Sequence, residues 1–70
     1  MGQAVVTVRA EWDDEAQVWS IWSDDVPGLA IEAERFEDIG PKASVAIGDL
    51  AQDDPGIAAL AGRVLDVHAV

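Results

Sequence analysis

Hydrophobic and polar residues alternate along the first half of the chain, which is the pattern of β-strands rather than of helices. The alternation runs from Gln3 to Trp12 and returns on both sides of a second polar break. Acidic turns at residues 13–16 and 24–28 divide this stretch into three segments rich in β-branched and aromatic residues. The pattern predicts a three-stranded antiparallel meander over residues 4–34, with Gln17 to Ser23 as its central strand.

The two turns determine which residues face each other across the meander. Closing the first turn places Ala10 opposite Trp19, and closing the second places Ile21 opposite Ile31. Each pairing keeps large apolar side chains on one face, as a correct register should. We therefore expect Trp19 to lie in the core and Trp22 on the opposite face.

After the third strand the hydrophobic period becomes helical. The apolar residues that form one stripe are Phe36, Ile39, Ala43, Ala46, Ile47 and Leu50. They predict a helix over residues 36–52 that covers the Trp19 face of the sheet. Gly40-Pro41 interrupts the pattern, so either a tight turn over residues 36–39 precedes a helix beginning at Pro41, or one helix is kinked there.

Residues 57–70 predict a short turn followed by a fourth strand. The turn signal at residues 53–56 ends the helix, and residues 57–61 suit a short helical turn. Residues 63–70 alternate like a strand, which either pairs with the first strand or lies against another subunit. Its apolar residues Leu65, Val67 and Ala69 share one side of the strand. The chain is thus expected to be a single α+β domain of order β-β-β-α-β.

Charge is the strongest signal in the composition. Four cations face fourteen carboxylates, which gives a net charge of −10 on 70 residues. Such a charge repels nucleic-acid phosphates and anionic membranes, so direct binding to either is not expected. It suits a basic protein partner, although solubility alone also explains it.

Chain length favours association with another protein. A domain of 70 residues holds only a small core, and the entropy of folding leaves it little net stability, so a homodimer or a partner is expected. No apolar run approaches the roughly 20 residues that span a bilayer, and a basic N-terminal region is lacking. A cytoplasmic location is therefore the default expectation.

The face of the meander opposite Trp19 is the candidate binding surface. Its centre is apolar, and acids of the second turn and the third strand form a rim that we expect at one end of the sheet. The residues expected to contact a partner are Val18, Trp22, Asp24, Asp25, Glu32 and Glu34. Burial of this face by the tail or by a second copy of the chain is the alternative.

The sequence offers no constellation typical of an enzyme. His68 is the single imidazole and has no nucleophile arranged with it, so an exposed strand histidine is expected. Cysteine is absent, and the acidic turns lack the ligand spacing of a calcium-binding loop. Pro27-Gly28 lacks the glycine series and the lysine of a phosphate-binding loop. We expect neither a catalytic residue nor a bound metal or cofactor.

Two consecutive motifs carry a resemblance to a known family. They are V-x-V-x-A-x-W-D-x-E-A-x-V-W, from Val6 to Trp19, and S-D-D-V-P-G-L-x-x-E-A, from Ser23 to Ala33. Together they resemble the HicB-like antitoxins, and most of all a short bacterial family related to them. The resemblance covers roughly residues 4–52, and Gly40-Pro41 departs from it because the helix of that family runs on at this point.

The resemblance implies a β-β-β-α-β fold, a partial version of the double-stranded-RNA-binding or RNase H arrangement. In complete HicB proteins this domain neutralises HicA, a small basic toxin that cleaves mRNA, and a separate C-terminal segment binds operator DNA. The chain ends where that segment would begin, so the resemblance does not extend to binding of operator DNA. The leading hypothesis is a non-enzymatic antitoxin-like protein. The alternatives are a homodimeric domain with a regulatory or structural role and a small-molecule sensor that uses the tryptophan-lined face.

Overall fold

The computed structural model describes residues 5–70 and has the predicted element order. Its elements are β1 (Val5–Asp13), β2 (Val18–Trp22), β3 (Ala30–Ala33), a 3₁₀ turn (Phe36–Asp38), α1 (Ile39–Ala51), α2 (Pro55–Ala58) and β4 (Val64–Ala69). The expected beginning of the first strand, at Gln3 and Ala4, lies outside the described residues. The protein is thus a small α+β fold with helices on one face of a four-stranded sheet.

The sheet is mixed because β4 joins it in parallel beside β1. The strand order is β3-β2-β1-β4, so both β1 and β2 are central and β3 and β4 form the edges. Val8 pairs with Val67, and Ala10 pairs with Ala69, so the apolar residues of β4 share the face of the β1 core residues. Of the two positions that the sequence left open for the last strand, the structure has the one beside the first strand.

The register of the first hairpin differs from the prediction by two residues. Ala10 lies opposite Ile21 rather than Trp19, and Trp12 takes the place opposite Trp19. The loop is longer than expected because Gln17 adopts a left-handed backbone, with φ 59°, and its N–H donates to the Asp13 carbonyl at 2.8 Å. A shift of two residues preserves the faces, so the predicted division into two faces is correct.

The second hairpin has the predicted register, with Ile21 opposite Ile31. Its loop contains a tight turn in which the Leu29 N–H donates to the Val26 carbonyl at 3.2 Å. Gly28 has a φ of 91° in this turn, directly after Pro27. Proline followed by a residue of positive φ is typical of a type II turn, which strongly favours glycine at that position.

Two side chains of the same loop extend the pairing of β1. The Asp25 carboxylate accepts the Thr7 N–H at 2.9 Å, and the buried Ser23 hydroxyl donates to the Thr7 carbonyl. Ser23 Oγ also accepts the Asp25 N–H at 3.1 Å. Because β2 ends at Trp22, these side chains occupy the place where a longer strand would bond to Thr7.

The helical region follows neither of the predicted alternatives in full. A 3₁₀ turn precedes α1, which begins at Ile39 rather than at Pro41. Pro41 is the third residue of α1, where a backbone N–H has no partner within the helix, so proline is tolerated without a kink. Ile39, Ala43 and Ile47 form the buried stripe. The helix therefore packs on the sheet face that the sequence predicts.

The core lies between α1 and one face of the sheet. Its buried apolar residues are Val6, Val8, Ala10, Ile21, Val26, Leu29, Ala33, Ile39, Ala43, Ile47 and Ile57. Trp19 lies on the core face and packs against this core, as predicted, but it is half-buried rather than fully enclosed. Its ring contacts Trp12 and Phe36 edge-on, with centroid distances of 5.5 and 5.1 Å. Within residues 5–70, none of the helices has both the length and the apolar character needed to cross a membrane.

Candidate functional site

The sheet face opposite α1 is the candidate site, and we call it the outer face. Strand alternation and the register place these residues on it: Val5, Thr7, Arg9, Glu11, Asp13, Val18, Ser20, Trp22, Ala30, Glu32, Val64, Asp66 and His68. Each is at least partly exposed, whereas the buried sheet residues lie on the other face. In the described part of the chain both helices pack on the core side, so no element covers the outer face.

The centre of the outer face is apolar. Trp22 lies between Arg9 of β1 and Ala30 of β3, and it is half-buried against the sheet. Two residues earlier on β2, and on the same face, Ser20 lies between Glu11 and Glu32. The lining of a shallow depression beside β3 consists of Ser20, Ile21, Trp22, Ala30, Ile31 and Glu32. A partner would thus meet the Trp22 indole beside Arg9, with the carboxylates of Glu11 and Glu32 at the next position along the sheet.

Charged side chains surround this centre. The Arg9 Nε donates to the Asp24 carboxylate at 3.1 Å, with the side chains 44% and 73% exposed. His68 pairs through Nε2 with the Asp66 carboxylate at 2.9 Å on β4, the strand next to β1. His68 is an exposed strand histidine, as predicted. The Arg9–Asp24 ion pair and the His68–Asp66 contact are both exposed to solvent, so neither contributes much to the free energy of unfolding.

The six predicted contact residues do not form one cluster. Val18, Trp22 and Glu32 lie on the outer face. Asp24 reaches the same face through its ion pair with Arg9. Glu34 follows β3 beyond Ala33, the partner of Trp19, and therefore lies toward the other end of the sheet. Ala30, opposite Trp22, marks the end of the sheet near Asp24, and Glu34 is four residues further along. Four residues of a strand span about 13 Å, so the expectation that all four acids cluster at one end is wrong.

Asp25 has a structural contact that the sequence did not reveal. Its carboxylate accepts the Thr7 N–H, and its own N–H is held by Ser23. Sequence reasoning treated Asp24 and Asp25 alike because both are acidic turn residues. Only the distance between the second turn and β1 distinguishes the exposed ion-paired acid from the one that holds the backbone. The part of the chain from residue 5 onward contains no group of three acidic or histidine side chains close enough to hold a metal ion.

The fold and the site define a class: a small acidic α+β domain with an open, tryptophan-centred sheet face. The chain belongs to the family described as a domain of unknown function, DUF1902, whose model matches residues 5–64. It is similar to a hypothetical protein from the extremely thermophilic bacterium Thermus thermophilus, of known crystal structure. The two are 39% identical with a TM-score of 0.79, over 94% of this chain and 92% of that one. Among curated proteins, none matches the chain.

Proposed function

We propose that this protein is a non-enzymatic, antitoxin-like binding domain that neutralises a small basic ribonuclease by covering its RNA-binding surface. The observation that carries the proposal is the outer face, which combines an apolar centre at Trp22 with carboxylates on the neighbouring strands. The resemblance of the Val6–Trp19 and Ser23–Ala33 motifs to HicB-like antitoxins supports the same role. A cytoplasmic location belongs to this proposal, because the substrate of such a toxin is mRNA.

Packing at the apolar centre would hold the partner. Trp22 and Val18 are both half-buried on β2 and present apolar surface between polar neighbours. Tryptophan is enriched among the residues that contribute most to binding free energy, and such residues lie near the centre of an interface. Truncating Trp22 should therefore act mainly on the rate of dissociation.

Charge would select the partner and speed the encounter. The net charge of −10 opposes nucleic acid and anionic membranes but attracts a basic protein. Asp24, Glu32 and Glu34 are exposed, so they would compete for the cations with which a ribonuclease binds RNA phosphates. Exposed charges at the rim of an interface act chiefly on the association rate and on its salt dependence.

A second candidate is a homodimeric domain with a regulatory or structural role. It is favoured by the apolar residues of the outer face, including the half-buried Trp22 and the exposed Val64, which a second copy would cover. An adjacent reading frame for a small basic protein favours the antitoxin-like role. Its absence from the genome favours the homodimer.

The experiment measures stopped-flow binding to that basic protein at low and moderate salt. The test variant carries Asp24→Asn, Glu32→Gln and Glu34→Gln and retains Asp25, whose carboxylate holds Thr7. A control variant removes three charges from other exposed positions, namely Glu15, Glu37 and Asp53. We expect slower association and a weaker salt dependence for the test variant than for the control, and faster dissociation for Trp22→Ala. Equal behaviour of the two charge variants would contradict a role for the outer face.

A further inference from the structure

The backbone of the edge strand β3 directs some of its hydrogen-bonding groups outward, away from the sheet. The Val70 N–H donates to the Ala10 carbonyl at 2.8 Å, so the backbone N–H and C=O of Ala10 point toward the β4 side of β1. Because backbone groups alternate along a strand, Glu11 points toward β2 and bonds to Ser20, its partner in the register. The backbone groups of Ser20 therefore point toward β1 and away from β3. Its partner Glu32 makes no backbone bond to β2 at this position, so the N–H and C=O of Glu32 point outward, away from the sheet.

A lysine confirms this orientation. The Lys42 Nζ, on α1, donates to the Glu32 carbonyl at 3.3 Å, which it reaches from outside the sheet. By the same alternation the backbone groups of Ala30 also point outward. Lysine at a sheet edge is a common protection against unwanted strand pairing. The edge of β3 is thus open to another strand once the Lys42 side chain moves aside.

Concave surfaces border this edge on both sides of the sheet. On the core side, an apolar groove between β3 and α1 is lined by Ile31, Glu32, Pro41, Lys42, Val45, Ala46 and Asp49. On the other side lies the depression beside Trp22. Ile31 and Glu32 line both surfaces, so the two meet at β3. Successive side chains of a strand point to opposite faces, so a strand added here would place them alternately into the groove and the depression.

We propose that the edge of β3 binds an extended segment of a partner protein as a fifth strand. Residues of this segment that face α1 are apolar, because Val45 and Pro41 line that groove. Residues that face the outer side are basic, because they meet Glu32 and the ring of Trp22. The basic half of this pattern rests on the proposed function, whereas the backbone pairing follows from the edge of β3 alone.

A second copy of the chain does not fit this edge. Pairing β3 with the β3 of another molecule would place Glu32, and Glu34 just after the strand, on the same face as Glu32 and Glu34 of the second molecule. Like charges on neighbouring strands repel each other, so this edge disfavours its own copy. An alternating apolar and basic segment avoids this repulsion and uses the same backbone groups.

The test uses a capped synthetic octapeptide of alternating valine and arginine as the probe. Calorimetry measures its affinity, and amide hydrogen exchange locates it. We expect protection of the Ala30 and Glu32 amides on binding. A second peptide, N-methylated on the amides of one edge, keeps the side chains but loses the donors, and we expect it to bind at least tenfold more weakly. A third peptide with glutamate in place of arginine should also bind at least tenfold more weakly.

Protein variants test the same edge from the other side. Glu32→Pro removes the outward N–H at an edge position, where proline is tolerated, and should weaken the peptide at least tenfold. Val45→Asp places a charge in the groove and should weaken it several-fold, whereas Lys42→Ala should strengthen it. Val64→Asp on the opposite edge is the matched control for Val45→Asp, because the two valines are 66% and 68% exposed. Circular dichroism confirms that each variant is folded.

Three results would overturn the proposal. Equal binding of the N-methylated peptide would show attraction by side chains without strand pairing. Protection of β4 amides instead of β3 amides would place the peptide at the other edge. Protection of Ala30 and Glu32 that grows with protein concentration without peptide would assign the edge to a second copy. A proposed function that fails, with no basic ribonuclease bound, leaves these peptide results unchanged, so the two failures are distinguishable.

Discussion

Replacing Ser23 by alanine tests how the second loop is attached to β1. The Ser23 hydroxyl is buried, donates to the Thr7 carbonyl and accepts the Asp25 N–H at 3.1 Å. Each hydrogen bond contributes about 0.5–1.5 kcal/mol net, so the loss of both should lower the free energy of unfolding by about 1–3 kcal/mol. Alanine leaves the Thr7 carbonyl without this donor, which places the expected value in the upper half of that range.

The assay is urea unfolding followed by tryptophan fluorescence, which three tryptophans make sensitive. A loss of about 2 kcal/mol would lower the melting temperature by roughly 8–16 °C in a domain of this size. Ser20→Ala, on the outer face of the same strand, is the matched control, and we expect a change within about 0.5 kcal/mol. If Ser23→Ala were as stable as Ser20→Ala, the bonds to Thr7 would not hold the loop in solution.

Further predictions concern the aromatic residues, the second turn and the assembly. Trp19→Ala should lower the free energy of unfolding by about 3 kcal/mol, because Trp19 packs on Trp12 and Phe36. Trp22→Ala should lower it clearly less in a monomer. Equal losses in urea unfolding would indicate that a second copy buries the outer face. Gly28→Ala should lower the free energy of unfolding by about 1–2 kcal/mol, because a φ of 91° disfavours any residue with a Cβ. The added Cβ itself would meet no clash, since its nearest neighbour, a Leu50 methyl group, would be 3.9 Å away. An unchanged melting temperature would refute this prediction. Sedimentation should detect a dimer at micromolar concentration, and a monomer at hundreds of micromolar would exclude it.

The alternation of apolar residues predicted which face each strand buries, because that pattern is local. It did not determine the first hairpin register, since a shift of two residues leaves the same side chains on the same face. The left-handed backbone of Gln17 lengthens that loop, and glutamine gives no signal for it. The second register was predicted correctly because Pro27-Gly28 defines one turn type.

The candidate site was predictable in composition but not in arrangement. Strand parity placed Trp22 and Glu32 on the outer face. The different surroundings of Asp24 and Asp25 depend on how closely the second loop approaches β1, and a single sequence does not contain that distance. The edge of β3 was also missed, because the direction of a backbone carbonyl depends on hydrogen-bond pairing rather than on residue type.

The parallel pairing of β1 with β4 has a consequence for how the chain folds. The hairpins of β1, β2 and β3 close over short loops, but β1 receives its other neighbour only from the far end of the described chain. Long-range strand pairing is slow, because a large loop must close before any contact compensates for it. Until β4 has been synthesised, β1 is therefore an edge strand of the meander, and its unpaired side can bond to other chains.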